Sequence, residues 1–158
     1  MFEKMGIPSL IQIQSCFPKE ITKNGKAVIE CFEEIPCNPC STSCPFNAIT
    51  IGPDINERPK LNLDLCSGCG ICVYSCPGLA IKVVQKAGEQ IRFKIPYEFL
   101  PVPIAGEIWN AVDRNGNIIG QALIEKVINR PIQDRTLLVQ VLINQDLVYD
   151  FAGIKGKA

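Results

Sequence analysis

The chain has 158 residues, 47% of them hydrophobic, which suits one ordinary globular domain or two small ones. Lys plus Arg (16) balances Asp plus Glu (16), so neither a basic field for nucleic acid nor an acidic solvating tail is expected. Nine cysteines and no histidine exclude Rieske centres, mixed Cys/His zinc fingers and histidine acid–base catalysis, and leave thiolate–metal chemistry.

Residues 1–25 carry Pro8, Pro18 and few periodic signals, and are expected to form an N-terminal arm that orders on assembly. They lack a charged segment followed by an apolar core and cleavage site, and no apolar run is long enough to span a bilayer. A cytoplasmic protein without a membrane span is therefore expected, and a secreted disulfide framework is not. Cys16 sits in Gln-Ser-Cys-Phe-Pro, apart from the later motifs, and is expected to be an unligated thiol. Its other conceivable role is to replace Cys31.

Residues 26–89 contain a duplicated unit. The segment from Cys37, CNPCSTSCPFNAITI, aligns without gaps on the segment from Cys69, CGICVYSCPGLAIKV, at an offset of 32 residues. Ala27-Val28-Ile29-Glu30 enters the first copy as a strand, and Ile49-Thr50-Ile51 leaves it before the turn-prone Gly52-Pro53-Asp54. Lys60-Leu61-Asn62-Leu63 enters the second copy, and Ile81-Lys82-Val83-Val84 leaves it. Each copy thus reads as strand, cysteine loop, short helix, strand.

The second copy carries Cys66-x2-Cys69-x2-Cys72-x3-Cys76-Pro77, the full bacterial-type run for an iron-sulfur cluster. Gaps of two residues let one tight loop present three thiolates to a cubane. The fourth, beyond a helical turn and followed by proline, serves the cluster of the other copy. In the first copy strict register puts Glu34 where Cys66 stands in the second. Cys31 follows its strand as Cys66 follows its own, and with five residues before Cys37 it restores four thiolates.

The expected sets are Cys31, Cys37, Cys40 and Cys76 for cluster 1, and Cys66, Cys69, Cys72 and Cys44 for cluster 2. Two alternatives for cluster 1 stay open: an oxygen ligand from Glu34, or a 3Fe-4S centre. The competing metal is zinc in two all-cysteine sites, but the third cysteine, the x3 gap and the proline have no role in a zinc knuckle. Gly68 and Gly70 are expected to let backbone amides approach sulfur.

From Gln90 the cysteines stop and aliphatic alternation begins. Gln90–Ile95 reads as a strand, and Pro96, Pro101 and Pro103 as an extended connector. Asn115-Gly116 marks a hairpin between strands at 107–112 and 118–124. Thr136–Ile143 is β-rich, and Asn144-Gln145-Asp146 is expected to cap a terminal helix through Phe151. Residues 90–158 are thus expected to form a small β-barrel-like docking domain. They contain no carboxylate pair, phosphate loop or nucleophile–base set.

Residues 26–85 resemble a two-cluster ferredoxin domain, a family of small electron carriers built from two symmetry-related halves. The resemblance rests on the two cysteine runs quoted above. It implies an α+β fold, a ferredoxin-like two-cluster domain followed by the β-barrel-like one, and two 4Fe-4S clusters. Ile-Pro-Cys-Asn-Pro-Cys, Cys-Pro-Phe-Asn-Ala-Ile and Cys-Pro-Gly-Leu-Ala-Ile also resemble ferredoxin-like small subunits of FAD-dependent amino-acid or amine dehydrogenases. This second likeness implies a non-catalytic electron-transfer subunit of a larger oxidoreductase complex with a flavoprotein partner. A free soluble ferredoxin is the alternative.

Overall fold

The computed structural model describes residues 6–158. Helix α1 (Leu10–Cys16) lies within the expected N-terminal arm, and residues 1–5 of that arm fall outside the described residues. Ser9 caps the helix by accepting from the Gln12 amide, while the Gln12 side chain accepts from the Ser9 amide. This Ser-x-x-Gln capping box is a start signal legible in the sequence. Ile13 and Phe17 anchor the segment in the core.

The repeat folds with two-fold likeness. Strand β1 (Lys26–Ile29) precedes the first cysteine loop, helix α2 (Pro39–Ser43) follows it, and β2 (Ile49–Thr50) leaves it. Strand β3 (Lys60–Leu61), helix α3 (Ile71–Ser75) and β4 (Ile81–Ala87) repeat that order. β1 pairs with β4 and β2 with β3, both antiparallel, and α2 packs on α3. Each copy's strands therefore pair with the other copy's, and this brings the two cysteine runs face to face.

β4 turns back at Gly88-Glu89 into β5 (Gln90–Tyr97), and the pair is in register from Val83–Lys94 to Ala87–Gln90. One seven-stranded antiparallel sheet then runs in the order β1-β4-β5-β8-β7-β6-β9, where β6 is Ile108–Val112, β7 Ile118–Ile128, β8 Leu137–Asn144 and β9 Gly153–Lys157. The β6–β7 hairpin closes at Asp113–Asn117, where the Asp113 carboxylate accepts from the Asn115 and Asn117 amides.

The expected barrel is not closed: β1 and β9 are free edges of an open sheet. The reason is that β4 occupies the edge of β5 on which a closing strand would have to pair. The expected terminal helix is also absent. Asn144 does act as a cap, accepting from the Asp146 amide, but it opens only a 3-10 turn at Gln145–Leu147. The chain then forms β9 against β6. Pro96 is tolerated inside β5 because it lies beyond the end of the β4 ladder and pairs only with Leu138 of β8.

Alternation divides the sheet into two apolar faces. Ile91, Phe93, Ile95, Val139, Val141 and Trp109 join Ile13, Phe17 and Phe151 in the larger core. Tyr97 and Trp109 meet there edge to face at 5.7 Å, so both aromatics fill the interior. Val83 and Leu138, on the opposite face, pack with Ala27, Ile49, Cys40, Cys72 and Val73 beneath the cysteine loops. Through Leu138 the β-rich half of the chain thus joins the apolar layer beneath the cysteine loops.

Candidate metal centre

Two small cavities open between the loops and the sheet. One is walled by Cys31, Cys37, Cys40 and Cys76 with Ile29, Ile35, Pro59 and Ile81. The other is walled by Cys44, Cys66, Cys69 and Cys72 with Ala27, Phe46, Ile49 and Val83. In each, three cysteines come from one copy and the fourth from the other. The electrostatics largely follow the same grouping: Cys31 and Cys40 feel Cys76, and Cys72 feels Cys66, Cys69 and Cys44 ahead of Cys40 from the other quartet.

Glu34 is exposed and does not line the first cavity, whereas Glu33 and Glu57 do. Cys16 lines neither; its thiol donates to the Gln12 carbonyl at 3.3 Å, one turn back in α1.

None of the nine cysteines forms a disulfide. Burial, reinforced by Cys66, Cys69 and Cys44, pushes the Cys72 thiol up to about 12. Burial and then Cys76 raise Cys40 in the same sense. A thiolate packed among other sulfurs in an apolar wall is unfavourable without a cation beside it. The iron of a cluster would supply that cation, with the four thiols of each quartet holding it as thiolates. Among the described residues no three Cys, Asp or Glu side chains converge on a point that one metal ion could occupy. A cubane needs no such point, because each thiolate binds a separate iron at its own corner. The donor set and the largely apolar walls fit two such clusters.

The loops repeat down to single backbone angles. Asn47 and Leu79, 32 residues apart, both turn left-handed, at φ 52° and 53°, three residues after the proline-flanked fourth cysteine. Each donates its amide to that cysteine's carbonyl, at 3.4 and 3.2 Å. Asn is at home in this region and Leu is not. Leu79→Asn is therefore expected to stabilise the protein by about 1 kcal/mol, seen as a higher urea midpoint at unchanged slope. Gly70, at φ 89°, starts α3 where a Cβ would lie 2.8 Å from Leu138, so glycine lets the loop settle on the sheet.

Three polar anchors that sequence reasoning missed hold the second loop. The Ala27 amide donates to Cys66 Sγ at 3.3 Å, Lys26 Nζ to the Leu63 and Cys66 carbonyls at 2.7 and 2.8 Å, and Lys94 Nζ to the Gly68 carbonyl at 2.9 Å. No local pattern marks them, because each acts across at least 26 residues of chain.

Behind Cys31 lies a charged cluster in the larger core. Arg114, from the β6–β7 turn, grips the Glu30 carboxylate with two donors and gives a third hydrogen bond to the Tyr149 carbonyl at 2.6 Å. Lys82 Nζ lies 3.3 Å from Glu30, donates to the Phe151 carbonyl at 2.8 Å, and faces the rings of Phe17 and Phe93 at 5.8 and 5.4 Å. Burial lowers Lys82 to about 8, with Glu30 opposing the drop.

The profile of the 4Fe-4S dicluster domain matches residues 35–80. This segment is a dicluster ferredoxin domain of the bacterial type. It holds two 4Fe-4S clusters.

One component of the Na(+)-translocating ferredoxin:NAD(+) oxidoreductase complex of Acetobacterium woodii is 42% identical over 52 residues, covering 33% of this chain and 15% of that protein. The ferredoxin-type protein NapF of Escherichia coli is 40% identical over 52 residues, 32% of each chain. An ABC transporter E family member of Arabidopsis thaliana is 29% identical over 104 residues, 56% of this chain and 16% of that one. The chain spans about a third or less of the length of these relatives. No solved structure matches it. No helix among its described residues is long and apolar enough to cross a membrane.

Proposed function

We propose that this chain is the iron-sulfur relay subunit of a larger oxidoreductase complex, taking electrons one at a time from a flavoprotein partner and passing them on. Cys31, Cys37, Cys40 and Cys76 hold one cluster, and Cys44, Cys66, Cys69 and Cys72 the other. The observation that supports this ligand set is the grouping of each quartet around one cavity. A 4Fe-4S cluster supplies the capacity to accept and release a single electron without making or breaking a substrate bond. The protein holds the thiolates in place, lines the walls with the buried or half-buried Ile29, Ile49 and Val83, and presents an amide donor to sulfur.

The open sheet beyond residue 89 and helix α1 extend the protein well past what two clusters require, which favours a subunit over a free carrier. Phe99, Leu100 and Ile104 are left 69%, 85% and 63% exposed, an apolar stretch of the kind buried in assemblies.

Anaerobic reconstitution tests the ligand set. The wild type should take up eight irons, four for each cluster, and Cys31→Ala should lose at least one iron and the first cluster's spectroscopic signature. An unchanged iron count and spectrum would remove Cys31 from the set. Purification of the native assembly tests the relay: a bound flavin is expected, and a monomeric flavin-free protein would favour the free-ferredoxin alternative.

A further inference from the structure

The two cavities differ in the charges around them. Glu33 and Glu57 stand in the wall of the Cys31 cavity. No charged side chain lines the Cys44 cavity, and instead two ammonium groups grip its loop. Lys26 is bonded to the carbonyl of Cys66 itself, and Lys94 to that of Gly68, beside Cys69. Both lysines are half-buried, so salt and water screen them less than surface charges.

Solvent exposure acts in the same direction. Cys69 is exposed, whereas the Cys31 quartet contains no exposed cysteine. Water stabilises added negative charge at the more open site. Backbone amides do not separate the two, since those of Glu33 and Ser41 favour the thiolates of Cys31 and Cys40 as the Ala27 amide favours that of Cys66. Two features oppose the difference. Arg58, on the surface, acts on Cys31, but it balances only one of the two carboxylates. The Glu30–Lys82–Arg114 cluster carries one net positive charge, yet it faces a separate cavity with Phe32 and Leu79.

We propose that Lys26 and Lys94, against Glu33 and Glu57, set the two sites apart in reduction potential, so that the site of Cys44, Cys66, Cys69 and Cys72 takes the first electron. Reduction adds one negative charge, supplied by an external one-electron donor that is itself oxidised, and no bond or proton is exchanged. A neighbouring ammonium favours that charge and a neighbouring carboxylate resists it. An electron arriving at either face therefore comes to rest beside Cys69, the exposed ligand, from which it leaves.

The inference rests on the ligand set proposed above, and its test separates the two. The full chain carrying both clusters is titrated with a low-potential reductant and followed by electron paramagnetic resonance. Two one-electron steps are expected. Lys94→Gln should move the higher step to lower potential and leave the other in place, and Lys94→Arg should restore it. Lys26→Gln provides the same test if Lys94→Gln fails to load. Glu57→Gln should raise only the lower step. Two loaded clusters that titrate together, or steps that ignore these variants or respond in the opposite order, would overturn the ordering alone. A wild-type chain that loads one cluster or none would overturn the ligand set and the ordering together.

Discussion

Glu30→Gln is expected to lower stability by about 3–5 kcal/mol near pH 6, the cost of leaving buried cations without their counter-ion. Lys82 is 7%, Arg114 11% and Glu30 16% exposed at the side chain, so solvent cannot replace the lost carboxylate. Lys82 keeps the Phe151 carbonyl and Arg114 the Tyr149 carbonyl, but neither acceptor carries a charge. The loss should depend on pH. Burial already holds Lys82 at about 8 in the folded protein against an ordinary lysine value of 10.5, with Glu30 opposing the drop, so removing Glu30 lowers it further.

Below both folded values Lys82 is charged in the folded and unfolded chains alike, and the full deficit is felt. As pH rises the variant sheds this proton before the wild type does, and its deficit shrinks through pH 8. Urea unfolding of both proteins between pH 6 and pH 9 measures the difference. A deficit that is constant across that range, or below about 1 kcal/mol, would mean that the cluster is not held together by charge.

Gly68→Ala is expected to cost about 2–5 kcal/mol, combining about 1–2 for a left-handed residue with a Cβ and about 1–3 for overpacking. Gly68 sits at φ 72°, and a Cβ there would lie 2.5 Å from the backbone carbon and oxygen of Gly25. The obstacle is main chain on both sides, so no rotamer relieves it. The loop would have to lift from the residues leading into β1. It would draw Cys66 away from the Ala27 amide and the Gly68 carbonyl away from Lys94. The second cluster should therefore be lost more readily than the first, and iron counts during exposure to a chelator would show it. Equal loss from both sites would place the damage in the fold as a whole.

Both predictions depend on contacts that join distant parts of the chain. Glu30 and Arg114 are 84 residues apart, and Lys82 and Phe151 are 69 apart. Nothing in the neighbourhood of Arg114, a turn residue beside Asn115-Gly116, hints that it completes a core ion pair next to a cluster ligand. Lys82 is equally unmarked, since a lysine alternating in a strand reads as a solvent-facing residue. It is buried because β4 lies inside the sheet, between β1 and β5.

The barrel expected for residues 90–158 does not form for a related reason. Strand positions and the hairpin at Asn115-Gly116 are legible, because alternation and turn chemistry are local. Closure is not, because it depends on which strand takes the free edge of β5, and β4 takes it across a two-residue turn. The helix expected through Phe151 meets the same kind of competition. A cap at Asn144 starts a turn but cannot prolong it when the following residues find a partner strand in β6.

The cluster chemistry is written in consecutive residues. Cysteine spacing, the proline after each fourth cysteine and the 32-residue repeat are short-range constraints on how a loop can surround a cubane, so they can be read without a fold. Only the folded chain reveals that β4 carries the sheet on from the cluster loops into the β-rich half, where the buried charges meet, and which lysines and carboxylates stand beside each site. Those outcomes follow from strand pairing and burial between remote segments, whose energies depend on neighbours that no local stretch of sequence specifies.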